Sequence, residues 1–164
     1  MLALAACAAP PQAPLRNAAV IKPPTMVLRV QRTECGFKCP EYTVEIASDG
    51  SVTWTGEAHV ATVGVAHGNV SVHDLDRLIA AFEVDRFFAI EKSPKWRVEC
   101  PYGAGHKCVT VICSSLTDEP ATRVTLARAG ALHTLEVDCD PAFTRAAKLV
   151  DELARTSAWI GPRS

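Results

Sequence analysis

Residues 26–33 (MVLRVQRT) alternate, with Met26, Leu28 and Val30 on one side and Val27, Arg29 and Gln31 on the other. A period of two sends successive side chains to opposite faces of a strand, so a strand is predicted here. Tyr42-Thr43-Val44-Glu45-Ile46 and Val52-Thr53-Trp54-Thr55 repeat the alternation on either side of Asp49-Gly50. Asp-Gly between alternating runs predicts a hairpin, because its tight turn needs positive backbone φ, which glycine adopts freely. Tyr42, Val44, Ile46, Val52 and Trp54 should share one buried face, leaving Thr43, Glu45, Ser51, Thr53 and Thr55 on the wet one.

Residues 58–65 read as a weaker strand, loosened by Gly64 and Gly68. The period then lengthens. Ser71 reads as a helix N-cap, with Asp74 three residues on as an acidic variant of the capping box. Val72, Leu75, Leu78, Ile79 and Phe82 follow at helical spacing and predict a helix over residues 72–83 lying across the sheet, with Phe87-Phe88-Ala89-Ile90 closing into the core. Residues 91–105 hold Pro94, Pro101, Gly103 and Gly105 and read as a long irregular segment, either functional or stapled. Strand-like runs return at residues 107–112, 122–127 and 132–137, the last two joined near Ala129-Gly130. Asp140-Pro141 opens a second helix, since proline suits the first helical position, and Phe143, Ala146, Ala147, Val150 and Leu153 form its stripe. The predicted fold class is α+β: an antiparallel sheet of hairpin-connected strands with two helices packed on it, one domain over residues 26–162.

Composition narrows the setting. With 164 residues, 48% hydrophobic and 21% charged, the chain can bury a core and does not match a disordered segment. A formal charge of −1 and the lack of a basic run argue against nucleic acid as a partner. Seven cysteines are many for a cytosolic enzyme and point to disulfides in an oxidising compartment or to metal.

Leu4-Ala5-Ala6-Cys7 resembles the bacterial lipobox. That resemblance implies cleavage before Cys7 and attachment of a diacylglyceryl group to its sulfur, with residues 1–6 the remnant of a signal peptide. Those six residues hold no Lys or Arg, so a start further upstream is expected. Residues 7–25 then form the lipidated cysteine and a tether carrying five prolines. Six cysteines remain after Cys7, an even number that favours export. Ala8 follows Cys7 where inner-membrane retention uses aspartate, so the expected location is the outer membrane, facing the periplasm.

Taken together, Arg32-Thr33-x-Cys35-x3-Cys39-Pro40-x-Tyr42, the Asp49-Gly50 turn, Trp54-Thr55-Gly56, Phe87-Phe88, Thr117-Asp118-x-Pro120 and Trp159-Ile160 resemble the bacterial domain of unknown function numbered 6438. The resemblance spans residues 27–160 and implies a secreted protein or lipoprotein, without an established activity. The family usually places its glycine midway between the two cysteines, whereas Gly36 here directly follows Cys35.

Cys35 and Cys39 are spaced closely enough for a disulfide pinning the first strand to the hairpin. The rival reading is a periplasmic copper or thiol-redox site, since Thr33-x-Cys35-x3-Cys39-Pro40 also looks like the copper-delivery motif of the Sco family of thioredoxin-like proteins. In that fold a helix follows the cysteines, whereas a β pattern follows here. Cys100, Cys108, Cys113 and Cys139 allow three pairings, of which Cys100–Cys108 with Cys113–Cys139 is preferred; their spacings match no common zinc pattern. His59, His67, His73, His106 and His133 are scattered and read as surface or structural, and Trp96 is the aromatic to watch for binding. The expectation is a non-enzymatic, disulfide-stapled envelope domain with no cofactor and no metal, which meets the membrane through its lipid and binds an unidentified envelope protein or ligand.

Overall fold

The computed structural model describes residues 25–35, 38–93, 96–99, 109–112 and 121–162, with backbone alone for 96–99 and 109–112. Strands β1 (Met26–Arg32), β2 (Glu41–Ala47), β3 (Ser51–Ala58) and β4 (Gly64–Asn69) come first. Helices α1 (Val72–Ala81) and α2 (Val84–Ala89) follow, then β5 (Trp96–Glu99), β6 (Val109–Ile112), β7 (Thr122–Arg128) and β8 (Ala131–Glu136). Helices α3 (Pro141–Leu153) and α4 (Ser157–Ile160) end the described chain. Six strands form one open antiparallel sheet in the order β4-β3-β2-β1-β7-β8, and β5 pairs with β6 separately.

The alternation read from the sequence sets this architecture. Leu28, Val30, Tyr42, Val44, Ile46, Val52, Trp54, Val124, Leu126 and Leu135 are buried in one cluster with Leu75, Leu78, Phe82, Phe143 and Val150 of the helices and their ends. The helices therefore lie on one face of the sheet, and burying large side chains such as Trp54, Phe82, Phe87 and Phe143 contributes roughly 2–3 kcal/mol each. At Asp49-Gly50 the turn takes the predicted form, with Gly50 at φ +84°. Ser71 Oγ accepts from Asp74 N at 3.0 Å and Asp140 Oδ1 from Ala142 N at 2.9 Å, so both predicted helix starts are capped as expected.

The helix content exceeds the two helices expected: there are four among the described residues, two of them short. Glu83, at φ +46°, breaks the predicted 72–83 helix and restarts it as α2, which carries Phe87 into the core. Val72 belongs to the predicted stripe but stays exposed, because it is the first residue after the N-cap. The weak strand expected over residues 58–65 lies later, as β4, after a bend that ties to α4 through Ala61 N→Ile160 O and Thr62 N→Trp159 O. Part of the segment expected to be irregular contains β5.

The other face of the sheet is polar, and two rows cross all six strands. One runs Val65, Thr55, Thr43, Gln31, Arg123, Glu136; the other runs His67, Thr53, Glu45, Arg29, Thr125, Thr134. Within the second row Arg29 Nε donates to Glu45 Oε1 at 2.6 Å, and the hydroxyls of Thr125 and Thr134 meet at 2.8 Å.

Candidate functional site

The strongest sequence motif gathers at one end of the sheet. Arg32 closes β1, Tyr42 lies near the start of β2, and the two are register partners on adjacent strands. Between them the chain makes the loop closed by the Cys35–Cys39 disulfide, whose Cα atoms are 5.8 Å apart. Tyr42 points into the core because it continues the buried phase of β2, and its ring stacks on Trp54 with centroids 4.4 Å apart. A buried tyrosine still needs a partner for its hydroxyl. Helix α3 provides it: Tyr42 Oη donates to Asp151 Oδ1 at 2.9 Å.

Asp151 also takes the charge of Arg32, whose Nη2 donates to Oδ2 at 2.7 Å while Nη1 donates to Thr122 Oγ1 at the head of β7. Thr156 Oγ1 donates to Asp151 Oδ1 at 3.4 Å. The neighbouring motif residue Thr33 is held as well: its amide donates to Ala121 O at 3.0 Å, and its hydroxyl accepts from Ala121 N at 3.2 Å. One carboxylate on α3 thus binds β1 and β2, while Thr33 and Thr122 fasten β1 to the start of β7.

The electrostatics suit a clamp. Burial raises the Tyr42 hydroxyl and the adjacent Asp151 carboxylate adds to it, pushing its pKa up to about 12. Tyr42 therefore stays protonated at neutral pH and donates. Burial alone would lower the Arg32 guanidinium, but Asp151 and Tyr42 together more than offset this and hold it above its ordinary value. Arg32 and Asp151 keep only 13% and 20% of their side-chain surface, so the pair is screened far less than a surface ion pair.

Several other polar groups are engaged in holding the fold. His133 Nε2 lies 2.7 Å from Ile90 O, and its ring meets Phe87 edge-on at 5.6 Å. Asp138 Oδ2 accepts from Thr122 N at 2.8 Å. Arg86 pairs with Asp140 and stacks over Phe143 at 4.7 Å. His67 is exposed on β4, and His59 sits in the bend after β3 with φ +54°. A cleft of about 360 Å³ opens beside Val27, Ile79, Val84, Leu126 and Ala127, where Arg128 donates to Asp85 Oδ1 at 2.6 Å. Cys139 is buried and disulfide-bonded. Cys7, Cys100, Cys108, Cys113, His106 and Asp118 lie outside the described residues. Among the described residues no group of three or more metal-ligating side chains occurs, and no helix is long and apolar enough to cross a membrane.

Sequence reading missed the clamp. Arg32 and Tyr42 stood within the motif, but Asp151 lies 109 residues beyond Tyr42, on the α3 turn next to Val150. The available signal was the need of a buried tyrosine and a strand-end arginine for a shared acceptor.

The fold and the stapled end define a class: an open antiparallel sheet with helices on one face and a disulfide loop clamped at its end. The chain belongs to the DUF6438 family, a domain of unknown function, whose model matches residues 26–154. Comparison with curated proteins and with solved structures finds no match.

Proposed function

We propose that this chain is an envelope lipoprotein: a non-enzymatic, disulfide-stapled domain anchored through a lipid on Cys7 at the outer membrane, facing the periplasm, and binding an envelope protein or ligand. The observation that carries this reading is the use of the family motif. Arg32, Thr33 and Tyr42 engage Asp151, Thr122 and Ala121, and Cys35 bonds Cys39, so the motif's side chains build a scaffold. A disulfide in so short a loop fits an oxidising compartment. The lipobox-like Leu4-Ala5-Ala6-Cys7 and the proline-rich tether supply the anchor and the reach. The polar sheet face, with its threonines between Arg29, Arg123, Glu45 and Glu136, is the surface offered for binding.

The test is intact-mass and N-terminal peptide analysis of the protein expressed in a bacterium with its natural upstream sequence. A mature chain beginning at Cys7 and carrying a diacylglyceryl thioether is expected. An unmodified Cys7 within an uncut chain would overturn the anchoring.

The half-buried Cys35–Cys39 pair favours one alternative, a periplasmic thiol-redox or copper-handling protein. In the disulfide neither sulfur is a thiolate, so metal binding there would require prior reduction. Thiol titration of the purified protein, with copper measured alongside, separates the two. Unreactive cysteines without reductant and no bound copper support the scaffold; reactive Cys35 and Cys39 or stoichiometric copper support the alternative.

A further inference from the structure

Two backbone irregularities meet at the end of the sheet away from the Cys35–Cys39 disulfide. Helix α1 stops at Phe82, and Glu83 at φ +46° turns the chain before α2 begins. Opposite it β1 is bulged: Met26 faces Ala47 and Leu28 faces Ile46, so Val27 is an extra residue in the ladder. Left-handed non-glycine residues and bulges cost local stability and gather beside binding sites. Between these two lies the cleft of about 360 Å³, within the size range of small-molecule sites. Val27, Ile79, Val84 and Leu126 make its walls aliphatic. Its mouth carries Asp85 of α2 and Arg128 of β7, the two charged residues among those that line it.

The charge arrangement selects a ligand. Arg128 Nη1 donates to Asp85 Oδ1 at 2.6 Å, yet the two side chains are 53% and 91% exposed. So exposed a pair contributes little to folding and separates easily. Arg128 also lies over the Phe88 ring at 5.8 Å, a contact that keeps its guanidinium at the mouth when Asp85 swings away. A plain carboxylate reaching Arg128 would meet the negative charge of Asp85, and a plain amine reaching Asp85 would meet the positive charge of Arg128. A zwitterion inserted between them satisfies both. The walls call for an aliphatic group on the same small molecule. A peptide end presents only one of the two charges beside its side chain, which argues for a free amino acid.

We propose that this cleft binds a free α-amino acid with a branched aliphatic side chain. Its carboxylate accepts from Arg128, its ammonium donates to Asp85, and its side chain lies against Val27, Ile79, Val84 and Leu126. The inference rests on neither the anchor at Cys7 nor the polar sheet face.

The experiment is a saturation-transfer NMR titration of the full chain at neutral pH with L-leucine, isocaproate, isoamylamine and glycine. L-Leucine should bind with a dissociation constant of roughly 10 µM–10 mM, the range open to so small a ligand. Isocaproate lacks the ammonium, isoamylamine the carboxylate and glycine the side chain, and each should bind at least ~10-fold more weakly. Asp85→Asn removes the charge that repels a plain anion. Leucine binding should then weaken and isocaproate binding strengthen, narrowing the ratio between them at least ~10-fold. Arg128→Gln should do the same for isoamylamine. Both residues are exposed, so thermal midpoints should match the native chain, and a disturbed fold would not exchange one preference for another. Absence of leucine binding up to ~50 mM, above the weakest constant expected, would overturn the proposal. So would isocaproate or isoamylamine binding the native chain as tightly as leucine, or variants that leave the preferences unchanged.

Discussion

At the Cys35–Cys39 end of the sheet, Arg32, Thr33, Tyr42, Thr122 and Asp151 each have a named protein partner, and a disulfide closes the loop above them. Along β4, at the sheet's first margin, three residues point their backbone groups at solvent and two valines lie exposed. The energetics of the two regions differ. A polar group withdrawn from water must be satisfied or it costs stability, so the stapled end can lose almost nothing without penalty. An edge open to water has no such debt, and its substitutions should leave folding alone. Residue type alone does not separate scaffold from surface. Burial and partner count do.

Asp151→Ala should give the largest effect. It leaves Arg32 without its counter-charge and Tyr42 without its acceptor, a loss of about 2–4 kcal/mol after allowing for the partial exposure of the pair. Equilibrium urea unfolding at neutral pH reads it as a lower midpoint with an unchanged slope. A loss matching an ordinary surface substitution would remove the clamp from the account.

Tyr42→Phe separates the hydroxyl from the ring. The folded pKa of Tyr42 is raised to about 12, above the value near 10 of an unfolded chain. Stability from the protonated hydroxyl is therefore fully present below pH 10 and is lost as pH rises from about 10 to 12. The native chain should lose about 2–3 kcal/mol relative to Tyr42→Phe over that window. Unfolding midpoints at pH 8, 10 and 11.5 check it; parallel curves for the two proteins would contradict it.

Val65→Thr should be the mildest. It keeps the β-branched shape and removes exposed apolar surface, so stability should stay within about 0.5 kcal/mol of the native chain. A thermal scan showing a large drop would mean that β4 is packed in a way its exposure does not indicate.

Much of the fold was legible because it rests on local periodicity. The β1 alternation, the β2–β3 hairpin with its buried Tyr42, Val44, Ile46, Val52 and Trp54, and the caps at Ser71 and Asp140 each follow from a few neighbouring residues. What escaped was set by backbone geometry or by distance along the chain. Nothing in the helical pattern announced that Glu83 would take a left-handed conformation and split α1 from α2. The position of β4 was obscured by Gly64 and Gly68, and Gly68 is explained by Trp159, 91 residues later, lying across it. Asp151 gave no local sign that it would serve Arg32 and Tyr42, since a single acid on an amphipathic helix reads as solvated surface. The motif at the disulfide was therefore visible, while the carboxylate that explains it was not.

The central claim is that Arg32, Tyr42 and Asp151 work as a clamp, and a double-mutant cycle on Arg32 and Asp151 tests it most directly. Arg32→Met, Asp151→Leu and the combined variant are unfolded in urea beside the native chain. Each single variant should leave one charge unpaired in a largely buried site, and the combined variant should regain much of the loss, with a coupling energy of at least about 1.5 kcal/mol. Single losses that simply add in the combined variant, to within about 0.5 kcal/mol, would contradict the clamp.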